Sequence, residues 1–492
     1  MRPTTTTPVA EQPGADGADG TAAGRWSPRQ WALLTVLAGN MLIDALEVSV
    51  SVVALPSVGK DLGADPVTLQ WVMTGFATGF AAALLFGTRL VDRLGRRRVY
   101  LAAVSVFAAA SLAGALADTM GLLVATRIVK GVSAALTAPT GLAIITGTFP
   151  EGPARNRAVS VYSLFGASGF SLGLVLSGLL TEASWRWTFA FPAPVAAVLL
   201  LAGLRLVPEQ RGRTRADGGR PYELPTALGL AAALPALVYG IVNVPRHGWA
   251  APGTLTAFGL AAALTALVVA RERRAEHPLL PPRVLARPAL RRSAFGAAAL
   301  NGSYLGLLFV VTFHLQTILG WSPARTGLAL LPAALPLALS AAYSGRLVQR
   351  FGAARLIGVG YLAPPLGYAL YLRTSVPTHY ATDVLPTLLL LGAAFVLCFA
   401  ALHLQALAAA PEAEPGVASG VYQTAVQFGA VLMPALVAAL MTAHRPGPGA
   451  SAADTLAAYH PALLLITTVG LAGLAVSATA FLPRRTSRSS AP

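Results

Sequence analysis

Residues 87–101 read GTRLVDRLGRRRVYL, and residues 344–357 read SGRLVQRFGAARLI. Each is a short basic stretch wedged between apolar runs long enough to cross a membrane. Aligned without a gap, Leu90, Val91, Arg93 and Gly95 meet Leu347, Val348, Arg350 and Gly352, and Asp92 meets Gln349. Cytoplasmic loops are commonly rich in arginine, which accounts for the charges but not for the matched Leu, Val and Gly. A tight turn between membrane helices that recurs far down the chain predicts two related helical bundles fused in parallel, as in many secondary transporters.

Composition agrees. The 492 residues are 55% hydrophobic and 11% charged, with a mean hydropathy of +0.63, the balance of an all-α polytopic membrane protein. A net charge of +16 would suit nucleic acid, but the arginines lie in short loops and read as topology signals, so no nucleic-acid partner is expected. The single cysteine, Cys398, excludes an internal disulfide framework and a multi-Cys metal site; no metal and no cofactor are expected. Residues 1–30 are rich in Thr, Pro, Gly and Asp and are predicted to be disordered. They lack the charged start and early apolar core of a secretory signal.

About 14 apolar runs of spanning length follow. Runs at 31–55, 68–88, 99–116, 122–147, 157–180 and 188–206 form an N-terminal bundle, 31–206. A region of linkers, 207–292, holds two extra runs, 224–244 and 255–270. Runs at 293–318, 324–345, 354–372, 384–408, 416–441 and 461–482 form a C-terminal bundle, 293–483, followed by a basic tail, 484–492. An even count puts both ends on one side. Alternate loops then hold about 28 Lys or Arg on that side and about six on the other, which places both termini in the cytoplasm. The basic stretch follows span two and its echo follows span ten, so the plan is six helices, two extra, then six.

Charges also fall inside the runs. Asn40, Asp44, Glu47 and Ser51 are spaced by four, three and four, which puts them on one face of the first helix. Carboxyls near mid-membrane are costly and usually functional. If Asp44 and Glu47 face one cavity, their mutual repulsion favours holding a proton there. Arg127 and Lys130 are an i, i+3 pair on the fourth helix. Acids on one helix and cations on another form a proton-sensitive pair, since protonating the acid releases the cation. The plainer alternatives are a satisfied ion pair that only orders the bundle, and cations that snorkel to the headgroups. On the fifth run, Gly166, Gly169, Gly173 and Gly178 let a neighbouring helix approach closely.

With these residues in place, the chain resembles the major facilitator superfamily over roughly residues 30–483, and within it the 14-helix drug:proton antiporter branch. The family's loop motif, G-x-L-x-D-R-x-G-R-R, is met by Leu90, Asp92, Arg93, Gly95, Arg96 and Arg97, with Thr88 at the first Gly. The resemblance implies a charge latch there, weaker in the second copy, where Gln349 replaces the acid. The first-helix motif, L-D-x-T-V-V-N-V-A-L-P, appears as LEVSVSVVALP at 46–56, with Glu47 at the Asp position and Asp44 as an additional acid. In the fourth helix, R-x-x-Q-G-x-G-x-A and its Pro are met by Arg127, Gly131, Ala135 and Pro139, with Lys130 replacing Gln. The antiporter motif G-x-x-x-G-P-x-x-G-G keeps Gly169, Gly173 and Gly178 but has Leu174 for Pro and Ser177 for Gly. Trp185-Arg186-Trp187, the HPLL at 277–280 and the ASGVYQTAVQFG at 418–429 match further family segments.

The resemblance implies a secondary active transporter of the cell membrane. It would export a small amphipathic compound, such as a drug or antibiotic, in exchange for protons by alternating access. Glu47, Asp44 and Arg127 would couple the proton; Asp92, Arg93, Gly95, Arg96 and Arg97 would gate; Gly131, Gly169, Gly173 and Gly178 would permit helix packing changes. Cavity candidates are Asn40, Ser51, Lys130, Gln316, Gln423 and Gln427, with Asn301, Tyr304 and His403 weaker; His314 reads as a satisfied interior histidine. The substituted fifth-helix motif leaves a facilitator or symporter open, and a non-transporting receptor fits less well. No H-E-x-x-H, G-x-S-x-G or P-loop occurs, which removes the common catalytic and ATP-driven classes. The expected partners are substrate, protons and lipid, and the expected state is a monomer.

Overall fold

The computed structural model describes residues 26–209, 223–275, 282–341, 343–409, 415–447 and 449–481, and these are helical throughout, with no strand among them. The first half comprises α1 (Pro28–Leu62), α2 (Pro66–Leu94), α3 (Arg96–Ala115), α4 (Met120–Thr148), α5 (Pro153–Ala183), α6 (Trp185–Ala190) and α7 (Pro192–Leu206). Then come α8 (Glu223–His247), α9 (Pro252–Arg274) and the short α10 (Pro282–Leu285). The second half runs through α11 (Pro288–Phe313), α12 (Pro323–Ala329), α13 (Leu331–Ser340), α14 (Ser344–Phe351), α15 (Ala353–Gly360) and α16 (Ala363–Tyr371). It ends with α17 (Leu385–Ala408), α18 (Pro415–Ala443), α19 (Ala452–Ala457) and α20 (His460–Ala478). Two π-helical turns, His314–Ile318 and Tyr380–Val384, continue α11 and precede α17.

Eleven helices among the described residues are long and apolar enough to cross a membrane. Three predicted runs are not among the eleven: 224–244, which falls on α8, and two that are broken. The run 324–345 divides into α12, α13 and the start of α14, with Pro332 and Pro336 in its middle; the run 354–372 divides at Tyr361 and Leu362, and Pro364 and Pro365 lie in the first turn of the helix that follows. Proline removes a backbone donor and restrains the residue before it, so hydropathy alone overstates the continuity of these helices.

The basic stretch is also not a loop. The α2 helix continues through Leu94 and α3 starts at Arg96, so the turn is Gly95 alone, at φ 85° and ψ 145°. Only glycine adopts that backbone conformation readily. The echo repeats it: α14 ends at Phe351, α15 starts at Ala353, and Gly352 sits at φ 80° and ψ 141°.

Small residues set the helix spacing. Along α1 and α5, which run side by side, a Cβ on Gly169 or Gly173 would collide with the Leu42 or Leu46 carbonyl. Ser177 Oγ donates to Val50 O at 2.5 Å in the same seam. Gly79 and Gly131 bring α2 and α4 equally close, and Gly302 and Gly429 do so for α11 and α18. With lipid outside, such close approach supplies the dispersion contacts that hold helices together.

The halves meet along two seams, α5 on α12 and α13, and α2 on α18; α8 packs on both α2 and α18 while pairing with α9. At the end opposite Gly95 the halves are joined by hydrogen bonds. Ala324 N–H donates to Glu182 at 3.1 Å, and Gln316 Nε2 donates to Val53 O at 2.9 Å.

Candidate functional site

The interior of the first half holds two acids and two cations. The spacing of three on α4 turns Arg127 and Lys130 toward α1, where Arg127 hydrogen-bonds the carboxylate of Glu47 and Lys130 forms an ion pair with it. All three are sealed from solvent, with exposures of 0% for Glu47 and Arg127 and 1% for Lys130. The guanidinium is fully engaged. Arg127 Nε donates to Val72 O at 2.8 Å and Nη2 to the Glu47 carbonyl at 2.7 Å, with Ser51 Oγ 3.4 Å from Nη2. Phe76 and Phe189 lie 5.1 and 5.9 Å from its centre, and Lys130 Nζ lies 5.0 Å from the Phe107 ring. Both cations turn into the bundle against α1 rather than outward along α4, which is not the arrangement of snorkelling side chains.

Asp44, one turn earlier and 5% exposed, is held differently. Its Oδ2 accepts from Asn40 Nδ2 at 2.8 Å and from Thr137 Oγ1 at 2.7 Å. Asp44 and Glu47 therefore share a helix face without sharing partners: one is bonded by neutral donors, the other by two cations. Removing the charge on Glu47 would strand two buried cations, whereas the partners of Asp44 tolerate either protonation state.

Of the loop residues, Arg96 donates to Ala143 O at 3.0 Å and Arg97 to Leu204 O at 2.6 Å, near the C-termini of α4 and α7. Cations there complement the helix dipoles. The side chains of Asp92 and Arg93 lie outside the described residues, as does the segment 277–280. Gly131 packs on the Phe76 carbonyl, and Gly178 packs across the seam against Pro323 and Ala324. Gln316 bridges the halves; Asn301 Nδ2 donates to Val426 O at 3.2 Å; Tyr304 is buried against Phe395 and Phe170, with ring centroids 4.4 and 5.8 Å away. Gln423 and Gln427 are half-buried on α18, and His403 stacks on Tyr422. His314 is an interior histidine, bonded to Tyr371 and Thr378 at 2.7 and 3.2 Å.

Residues 37–434 match the Major Facilitator Superfamily. The chain belongs to that superfamily. It is 35% identical to the puromycin resistance protein pur8 of Streptomyces alboniger over 90% of each chain. It is 33% identical to the cephamycin export protein CmcT of Amycolatopsis lactamdurans, again over 90% of each. Its fold is similar to that of the POT family transporter PepTSo, with a TM-score of 0.63 at 17% identity, covering 93% of this chain and 99% of that one. As a major facilitator protein, the chain is a multi-span membrane transporter and not an enzyme.

Three features of this major facilitator site escaped the sequence reading. Thr137 is the acid's partner; it lies seven residues after Lys130, so the helical period alone puts it on the same face. The Trp185-Arg186-Trp187 segment is tied to two other helix ends. Arg186 bonds Asp61 at 2.6 Å and Asp118 at 3.1 Å, and Trp185 Nε1 donates to Asp61 at 2.9 Å. Arg246 on α8 bonds Asp65 and Thr68 at the start of α2, a contact 181 residues apart that no local pattern announces.

Proposed function

We propose that this transporter exports a small amphipathic compound of antibiotic type in exchange for protons. The two halves would alternate access around the interior, with α8 and α9 as an added pair, 14 spans in all and both termini cytoplasmic. The observation that carries the reading is the sealed Glu47–Arg127–Lys130 cluster with Asp44 beside it. An ion pair so deep is weak evidence for stability, because desolvation offsets its attraction. It is better accounted for by a working role, since ionisable groups inside a membrane cost several kcal/mol unless paired. A protein that must pass protons through apolar surroundings needs an acid whose protonation changes what its neighbours hold. The relatives named for puromycin resistance and cephamycin export support the substrate class.

In this reading Asp44 or Glu47 takes a proton from one side, the cations relax, and the substrate site opens to the other. The closure at Glu182 and Gln316 would be one of the two alternating gates, and the Gly95 turn, with Asp92, would belong to the other. A facilitator without proton exchange remains the second reading. It is favoured by α5, which runs unbroken from Pro153 to Ala183 with no interior proline to bend it. The test is proton flux in sealed proteoliposomes. Antiport requires lumenal pH to change on adding substrate, in fixed ratio to substrate moved, and concentrative uptake to collapse with an uncoupler. Substrate movement without proton movement selects the facilitator.

A further inference from the structure

Away from the acid cluster, a small crevice open to the outside lies among α11, α15, α17 and α20. Ile357, Leu402 and Ala480 give it apolar walls, and Arg292, Gln405 and Ser477 are its polar residues. Arg292 lies in the second turn of α11, and Gln405 and Ser477 lie in the last turns of α17 and α20. The crevice therefore sits one turn inside the end of the bundle that carries Gly352. Exposed Arg291 and Arg355 flank its lining residues in sequence.

Arg292 is the unexplained group. Its Nε is cut off from solvent and has no hydrogen-bond partner. Among the described residues no carboxylate bridges it. Between 277 and 481 the acids are Asp383, Glu412, Glu414 and Asp454. Asp383 and Asp454 belong to the opposite end of the bundle, at the starts of the α17 and α19–α20 spans, while Glu412 and Glu414 lie outside the described residues. The neighbouring polar groups are already arranged. Ser293 Oγ donates to Gln405 Oε1 at 3.0 Å, which leaves the amide nitrogen of Gln405 as its uncommitted end. Tyr361 OH closes the back by donating to the Gly296 carbonyl.

A guanidinium at the edge of hydrocarbon is costly unless an anion meets it. Its planar fork matches the oxygens of a phosphate. At this depth, on the arginine-rich end, the anions within reach are the headgroups of acidic lipids and soluble phosphates. We propose that the crevice binds a phosphate group, with Arg292 and the Gln405 amide donating to its oxygens and the apolar walls receiving the carbons attached to it. A lipid phosphodiester and a soluble phosphate present the same oxyanion, and the experiment separates them.

The test uses the full chain in neutral detergent and reads the thermal unfolding midpoint during titration with phosphatidylglycerol or with inorganic phosphate. The expected result is a saturable rise, with apparent affinity about tenfold weaker in Arg292→Gln and little changed in Arg291→Gln. Saturation by inorganic phosphate assigns a soluble ligand; a response to phosphatidylglycerol alone assigns a lipid. An equal response in Arg292→Gln and the parent overturns the proposal, as does no response to either ligand. Should Arg292→Gln not fold, Ala480→Leu narrows the crevice without touching the charge. It should weaken binding similarly, and an unchanged response there overturns the proposal too.

Discussion

Gly95 and Gly352, 257 positions apart in the chain (352 − 95), adopt one backbone conformation, φ 85° and ψ 145° against φ 80° and ψ 141°. In both, the glycine N–H bonds the carbonyl four residues back at 2.9 Å, closing one helix as the next begins. The turn is thus the repeated unit, and the charges around it vary between copies.

That equality is testable. Alanine at either position forces a side chain into a region that is essentially glycine-only, at a cost of about 1–3 kcal/mol. Gly95→Ala and Gly352→Ala should each lower the unfolding midpoint of the purified protein. Gly345→Ala, in open space within α14, should not. A parent-like midpoint in both turn variants would mean that the turn is not under strain control.

The acid cluster predicts a non-additive pair. Glu47→Gln leaves two buried cations facing an amide, and breaking a buried pair on one side typically costs about 3–5 kcal/mol. Lys130→Gln leaves Glu47 paired with Arg127 and should cost less. The double variant Glu47→Gln, Lys130→Gln should recover part of the loss, because only one cation is then stranded. Unfolding midpoints of the four proteins form the cycle, and strict additivity would show that the two side chains do not interact.

Asp44 predicts a separation of folding from coupling. A side-chain amide in place of this carboxyl could still accept from Thr137, so Asp44→Asn should unfold near the parent temperature yet lose the pH dependence of transport. Thr137→Val should perturb that pH dependence without abolishing it. Normal pH dependence in Asp44→Asn assigns the proton to Glu47 instead.

Outside the spans, Asp65 predicts a pH effect on stability. Burial works against its charge, but hydrogen bonds from Thr68 and Arg246 outweigh that and hold the carboxyl below its ordinary range. Because the folded value is depressed, its contribution is present above about pH 4, the unfolded value, and is lost as pH falls through the folded one. Asp65 is also the N-cap of α2, and asparagine caps about as well, so Asp65→Asn keeps the cap and removes only the charge. Asp65→Asn should therefore be less stable at neutral pH, and the gap should close in acid. A gap that is constant with pH would show that the ion pair contributes nothing.

Gly178 predicts a conformational rather than a stability effect. A Cβ there would press on the Pro323 carbonyl and the Ala324 backbone across the seam between halves. Gly178→Ala should shift the protein away from the state closed at Glu182, read as faster labelling of a cysteine placed at Ser322. Unchanged labelling would show that the seam can yield.

Much of this was legible because charge and glycine are rare in membrane helices and stand out. Spacing alone put Asp44 and Glu47 on one face of their helix and Arg127 and Lys130 on one face of theirs, and the echo marked Gly95; that the two faces meet came from the structure. What was not legible depends on how helices rotate and slide against each other. Arg246 against Asp65 and Arg186 against Asp61 are fixed by packing, which no period within one helix reports; for Thr137 the period gives the face but not the partner. The basic stretch looked like a loop because polar residues lower hydropathy, yet a helix that leaves the hydrocarbon has no reason to end there. The runs at 324–345 and 354–372 looked whole because apolar character says nothing of the missing donors at proline.

The placement of α8 has a consequence for traffic from the lipid. It lies across α2 and α18 and is pinned to the α2 side by Arg246, while neither α8 nor α9 makes comparable contact with α5 or α12. The two flanks of the molecule are therefore unequal doorways. Among the described helices, a molecule arriving from the lipid is screened by α8 at the α2–α18 joint and not at the α5–α12 joint.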